Sequence, residues 1–206
     1  MAEAKSRGAR GADKPSSEAV NERLAAQTAE PRPVGRRMSR RKQVEQHVRA
    51  YFDALSRRDV EAVGEFWSED GVADVVSLGI LRGRAEITGL FRDLFAAVPD
   101  LQTTVTRVVA GEHEAAVEWR MNGHFTGQAL QGVEATGRWV ELRGIDVIEI
   151  ANGKNSSTTA YYDGMSFARQ IGLVPPRNSG PERALKGAFN AATKVRRTIG
   201  ARRAGG

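Results

Sequence analysis

The chain has 206 residues, no cysteine, three histidines and a formal net charge of +6. That length suffices for one domain with extensions; the absence of cysteine excludes disulfides, thiolate metal sites and cysteine nucleophiles; and no apolar run approaches the roughly 20 residues of a membrane-spanning helix. The charge is segregated: Met1 to Lys42 carries eleven Lys/Arg against five Asp/Glu and Arg177 to Gly206 eight against one, which leaves Gln43 to Pro176 with 12 against 19. The pattern is an acidic domain between basic tails.

Residues 1–40 are rich in Ala, Gly, Ser, Pro, Lys and Arg and almost devoid of large apolar side chains. Such a segment cannot bury enough surface to offset chain entropy, so it is expected to be disordered. The opening Met-Ala-Glu-Ala-Lys-Ser-Arg develops no apolar core of a signal sequence, which points to the cytoplasm. Arg36 to Lys42 has the charge to touch nucleic acid or an anionic membrane. With no aromatic residue between the charges, it reads as a solvated arm.

From Ser39, a candidate N-cap, Val44, His47, Val48, Tyr51, Phe52 and Leu55 recur at helical spacing. Asp59 reads as the cap of a second helix, Val60 to Trp67, ending before the turn signal Asp70-Gly71. Val72 to Leu81 reads as a short strand region, and Ala85 to Ala97 as a third helix stopped by Val98-Pro99-Asp100. Four strands are then expected, at Leu101–Ala110, Ala115–Phe125, Thr136–Ile150 and Asn155–Asp163, with Asn152-Gly153 a strong hairpin turn. Met165 to Ile171 closes the domain as a short helix before Gly172 and Pro175-Pro176. The expected organisation is therefore a tail (1–40), a domain (41–176) and a basic C-terminal tail (177–206). Within the last, Pro181 to Ile199 has the pattern of a thin amphipathic helix, read as a loosely docked or partly disordered tail rather than a membrane anchor.

The strand from Arg138 to Ile150 carries the chemistry. With side chains alternating between faces, it groups Val140, Leu142, Gly144, Asp146, Ile148 and Ile150 on one side, so a carboxylate stands amid apolar neighbours. A buried carboxylate must be paired, protonated or used. Arg143 differs from Asp146 by an odd number of positions and faces away; Arg120 or a Tyr hydroxyl are the remaining structural partners. Unpaired, the acid is expected to titrate near neutrality and suit proton transfer.

Other candidates cluster at strand ends. His124 faces inward only if Gly123 makes a bulge that swaps the faces of its strand. Asp163 is either a second acid or the N-cap of the helix after it. Tyr161 and Tyr162 point to opposite faces, so only one hydroxyl can serve the interior. No Gly-rich phosphate loop, Gly-x-Ser-x-Gly elbow or His-Glu-x-x-His helix is present. With three His and no Cys, a transition-metal site is not expected.

The order helix hairpin, strand, helix, antiparallel strands resembles the NTF2-like fold. Val48 to Leu55, Gly123-His124-Phe125-Thr126-Gly127, Gly132 to Arg138, Arg143-Gly144-Ile145-Asp146 and Tyr161-Tyr162-Asp163-Gly164 resemble its SnoaL-like polyketide cyclase branch. The resemblance implies an α+β cone, a curved antiparallel sheet wrapped around an N-terminal helix hairpin and a third helix. It also implies cofactor-free acid/base chemistry: a proton is removed next to a carbonyl and the enolate closes a ring. Strand matching puts Ala160 where the family has its acid/base Asp, Asp146 where it has a pocket His, and Phe125 where another His stands.

The expected function is thus an acid/base enzyme of cyclase or isomerase type acting on an apolar carbonyl compound, with Asp146, His124 and Asp163 as catalytic candidates. Phe52, Trp67, Phe91, Phe95, Met121, Leu142 and Tyr161 are expected to bound the ligand, and the protein is expected to be a homodimer. The alternative is a noncatalytic NTF2-like binding or dimerisation module whose basic tails contact membrane or nucleic acid.

Overall fold

The computed structural model describes the backbone of residues 38–204 and the side chains of residues 38–197. The expected disorder of residues 1–40 lies outside the described residues, apart from its last three.

Helix α1 (Arg40–Ser56) forms because Val44, Val48, Tyr51, Phe52 and Leu55 make one stripe, all buried. Ser39 occupies its N-cap without a side-chain hydrogen bond. The chain reverses at Arg58, whose φ is 57°, and Asp59 caps α2 (Val60–Glu65) by accepting from the Ala62 N–H at 2.9 Å. This helix is shorter than its pattern suggested. Trp67 opens strand β1 (Trp67–Val75), which runs through Asp70-Gly71 instead of turning there. Gly71 makes that possible, since a Cβ at this position would stand 2.8 Å from the Trp67 ring.

Strand β2 (Gly79–Arg82) forms a short antiparallel edge on β1, and α3 (Gly83–Ala97) follows it. Strands β3 (Gln102–Ala110), β4 (Glu114–His124), β5 (Trp139–Ala151) and β6 (Lys154–Tyr162) form the expected antiparallel series. Asn152 and Gly153 have φ of 52° and 75°, the left-handed pair that matches strand twist in a two-residue turn. The six-stranded order is β2-β1-β6-β5-β4-β3. The sheet is mixed rather than purely antiparallel, because β1 returns from the helices to lie parallel to β6.

Register shifts interrupt the ladders between Trp67 and Val72, between Val105 and Arg107, and between Glu149 and Ile150. Each extra residue increases local twist and bends the sheet. The concave side receives α1 and α3, and its core holds Tyr51, Phe52, Trp67, Ile87, Val117 and Phe125. Burying each of the larger chains contributes about 2–3 kcal/mol before entropy is counted. Between β4 and β5 the loop at 125–138 is stitched to the end of α3 by Gly127 N–H to Ala97 O and Gln128 N–H to Ala96 O, each 2.9 Å. Only glycine fits at 127, where a Cβ would sit 1.9 Å from the Ala96 carbonyl oxygen.

Helix α4 (Gly164–Gln170) is capped by Asp163, which accepts from the Ser166 N–H at 2.9 Å, and the chain leaves it through Gly172 at φ 86°. Helix α5 (Gly180–Ala204) is one continuous 25-residue helix.

Candidate functional site

Strand β5 keeps its period of two throughout, and its Asp146 faces the concave side between Gly144 and the fully buried Ile148. A cavity of about 570 Å³ opens there, bounded by the inner faces of β4, β5 and β6, by α3 and α4, and by the loop at 125–138. Its walls are apolar, with Phe91, Met121, Leu130 and Leu142 among them. Polar side chains enter at Asp146, Tyr162, Ser77 and Gln131, and no Lys, Arg or His lines it.

Asp146 is partly accessible, and the accessible part faces this cavity. Burial pushes its carboxyl up to about 7, opposed in part by the hydrogen bond from Trp119. The Trp119 indole Nε1–H donates to Asp146 Oδ1 at 2.8 Å. Among the described residues that is its one hydrogen bond, and no cation pairs with it. Arg120 and Arg143, the nearest candidates, both lean on Glu141 on the outer face, at 3.8 and 3.6 Å. The acid is therefore held by a neutral donor, which favours the carboxylate less than a guanidinium would.

Gly144 makes the Trp119 contact possible. It pairs directly with Trp119 across the β4–β5 ladder, and a Cβ on it would lie 2.3 Å from the indole. The ring consequently lies flat over β5 and reaches two residues along to Asp146. Trp119 also packs against Tyr162, ring centroids 6.5 Å apart. Behind the cavity, Tyr51 is fully buried, and burial together with the Asp146 charge raises its hydroxyl above the ordinary tyrosine value.

The sequence candidates separate into those at the cavity and those away from it. Asp146, Phe91, Met121 and Leu142 line it. Phe52, Trp67 and Phe95 do not: they are core side chains packed beneath the cavity wall. Tyr161 is half-exposed on the outer face and its neighbour Tyr162 takes the inner position, because β6 alternates regularly there. His124 is outside as well. The β4–β5 register is unbroken from Glu114 to His124, so no bulge swaps the faces and Phe125 is the buried residue. His124 Nδ1 meets Asp100 Oδ2 at 2.7 Å, a contact that holds the Asp100 carboxyl below its usual range. Asp163 spends its carboxylate on the α4 cap and is not among the lining residues.

Sequence reasoning missed Trp119, Gly144 and Tyr162 as parts of the site. The signal was present in part, since Trp119 shares the inner face with Val117 and Met121. Its aim at Asp146 depends on the diagonal across two strands. Ala160 pairs with Asp146 across the β5–β6 ladder and lines the cavity too. Among the described residues, no group of three or more His, Asp or Glu side chains can hold a metal ion.

A curved sheet cupping helices around an apolar cavity, with a carboxyl inside, is the architecture of small-molecule-binding proteins of the NTF2-like, ketosteroid isomerase-like fold. Within that class residues 45–171 match the SnoaL-like polyketide cyclases, and the chain belongs to this family. Among solved structures it is similar to AclR of Streptomyces galilaeus, described as a proposed hydroxylase, with 19% identity, a TM-score of 0.59 and coverage of 77% of this chain and 98% of that one. It is also similar to a proposed SnoaL-like polyketide cyclase of Jannaschia sp. CCS1, at 18% identity and TM-score 0.60, covering 71% and 99%. A ketosteroid isomerase-like protein of Catenulispora acidiphila, solved with trimethylamine, shares 20% identity at TM-score 0.53, covering 63% and 94%. No curated protein matches the chain. At these identities the solved structures speak for the fold alone.

Proposed function

We propose that the protein is a cofactor-independent acid/base enzyme of cyclase or isomerase type that acts on an apolar, carbonyl-bearing small molecule. The observation that carries this reading is a single carboxyl, Asp146, in an apolar cavity, with a pKa raised to about 7 and no cationic partner among the described residues. Near neutral pH both protonation states are populated, so the group can accept a proton and give it back.

The chemistry follows from its two oxygens. Trp119 occupies Oδ1, leaving Oδ2 to take a proton from a carbon flanked by carbonyls. The electron pair of that C–H bond moves into an enolate. In a cyclisation the enolate carbon attacks a second carbonyl of the same molecule, one C–C bond forms, and the proton on Asp146 passes to the new alkoxide. In an isomerisation it returns to another carbon. Tyr162 is the donor best placed for the enolate oxygen, since it lines the cavity beside Trp119. Apolar walls strengthen both interactions by excluding water.

The second reading is a noncatalytic binding module, favoured by Ala160 and Phe125 where the family resemblance expects an acid and a histidine. We assign the outer sheet face, where Ile145, Val147 and Tyr161 are exposed together, to a second copy of the chain. Native mass spectrometry with a panel of apolar 1,3-dicarbonyl compounds tests the functional reading. The enzyme reading expects substrate to be consumed by the wild type and retained unchanged by Asp146→Asn. Equal retention by both proteins assigns the cavity to binding alone.

A further inference from the structure

The cavity mouth has an unusual rim for a domain that carries excess negative charge. Ser77 and Leu78 of the β1–β2 turn, Met165 at the start of α4 and Leu173 just after it all line the opening, and Leu78, Met165 and Leu173 are 41%, 51% and 62% exposed. The two sides of this rim touch, since a Cβ on Gly164 would stand 3.1 Å from the Ser77 side chain. Val76, beside it, is exposed as well. Large apolar side chains gathered at one opening mark a surface that meets something apolar.

Helix α5 begins seven residues after Leu173 and is fastened to α4 by its first turn. Glu182 is buried there and pairs with Arg169 of α4 at 3.5 Å. Beyond this anchor the helix exposes Leu185, Phe189 and Val195, with Phe189 at 71%. Arg183, Lys186, Arg196 and Arg197 are on the same described stretch, against the single acid Glu182. Phe189 lies four residues from Leu185, so the two share a helix face. Exposed aromatic and aliphatic side chains on a basic helix are the features of segments that lie in a lipid interface. No helix among the described residues is long and apolar enough to cross a membrane.

We propose that the rim and α5 together form a docking surface for an anionic lipid bilayer, so that the cavity opens toward the membrane and receives its apolar ligand from it. Charge complementarity selects the partner: α5 carries Arg183, Lys186, Arg196 and Arg197 against one acid and is attracted to anionic headgroups, and the rim beside it adds apolar side chains. Nucleic acid would engage the same cations but gives Leu185, Phe189 and the rim nothing to bury in. An acidic protein would need a pocket for each exposed side chain, whereas acyl chains accept them all. The proposal concerns delivery to the cavity and rests on the reading of that cavity as a small-molecule site.

Vesicle flotation of the full chain tests it, comparing pure phosphatidylcholine with vesicles containing about one-third phosphatidylglycerol. Binding is expected only to the anionic vesicles and is expected to fall steeply with salt. The double variant R196E/R197E should bind about tenfold or more weakly, since each basic residue near such a surface contributes about 1 kcal/mol. L185S/F189S should also lose binding, and circular dichroism checks that α5 is retained in both. Asp146→Asn should float like the wild type, which separates this proposal from the chemistry of the cavity. Equal binding to neutral vesicles, no binding to anionic ones at low salt, or a DNA mobility shift lost in R196E/R197E without vesicle binding each overturns it.

Discussion

At the scale of single residues, the site is an acid whose environment is set by two neighbours that are not acids. Asp146 is raised above its unfolded value, so its charged form is disfavoured in the fold. By linkage, the contribution of Asp146 to stability is full below about pH 4, falls as pH rises toward 7, and stays reduced above it. Asp146→Asn removes that loss while keeping an acceptor for Trp119. The variant should be more stable at pH 8 by up to about 4 kcal/mol, and equal to the wild type near pH 4, in thermal or urea unfolding. Trp119→Phe acts in the other direction on the titration, because it deletes a donor that favours the carboxylate. The midpoint of any activity dependent on Asp146 should shift to higher pH, while ring packing against Tyr162 is kept. Gly144→Ala should do more harm, costing about 2–4 kcal/mol by displacing the indole and loosening the same hydrogen bond.

At the scale of elements, periodicity made most of the structure legible. Alternation along β5 identified Asp146 as inward and Arg143 as outward because a two-residue repeat leaves no freedom about faces. Asn152-Gly153 announced its hairpin through the one backbone conformation that such a turn favours. Periodicity says which face a side chain occupies and nothing about depth, so Phe52, Trp67 and Phe95 fit the pattern of cavity walls and yet lie a layer beneath. Trp67 also shows why the end of α2 was misplaced: an apolar residue fits the last turn of a helix as well as the first position of a strand. The caps separate structural from chemical carboxylates. Asp59→Ala and Asp163→Ala should each cost about 1 kcal/mol in unfolding experiments. Neither change should alter ligand retention, and a loss of ligand turnover in Asp163→Ala beyond its loss of stability would return that residue to the site.

At the scale of the molecule, the sheet separates two surfaces with different work. Its concave side holds the core and the cavity, and its convex side displays Ile145, Val147 and Tyr161. If the convex face pairs two copies, Ile145→Asp with Tyr161→Asp should give a monomer by sedimentation while the cavity still takes ligand. A dimer that persists in that variant would place the interface elsewhere. The cavity volume and its apolar walls bound the size and polarity of the ligand. The identity of that ligand lies beyond sequence patterns, because the wall is assembled from β1, β4, β5, β6, α3, α4 and a long loop that come together only in the fold.

The proposed reaction has Asp146 move a proton to and from carbon in the cavity. Its most direct test is deuterium incorporation, in D₂O, into an apolar 1,3-dicarbonyl compound that binds the protein, followed by mass spectrometry across pH 5 to about 9. Protein-catalysed exchange is expected to rise with an apparent pKa of about 7 and to be absent in Asp146→Asn. Exchange that is undiminished in the folded Asp146→Asn protein, or a bound compound that never exchanges faster than it does in solution, would contradict it.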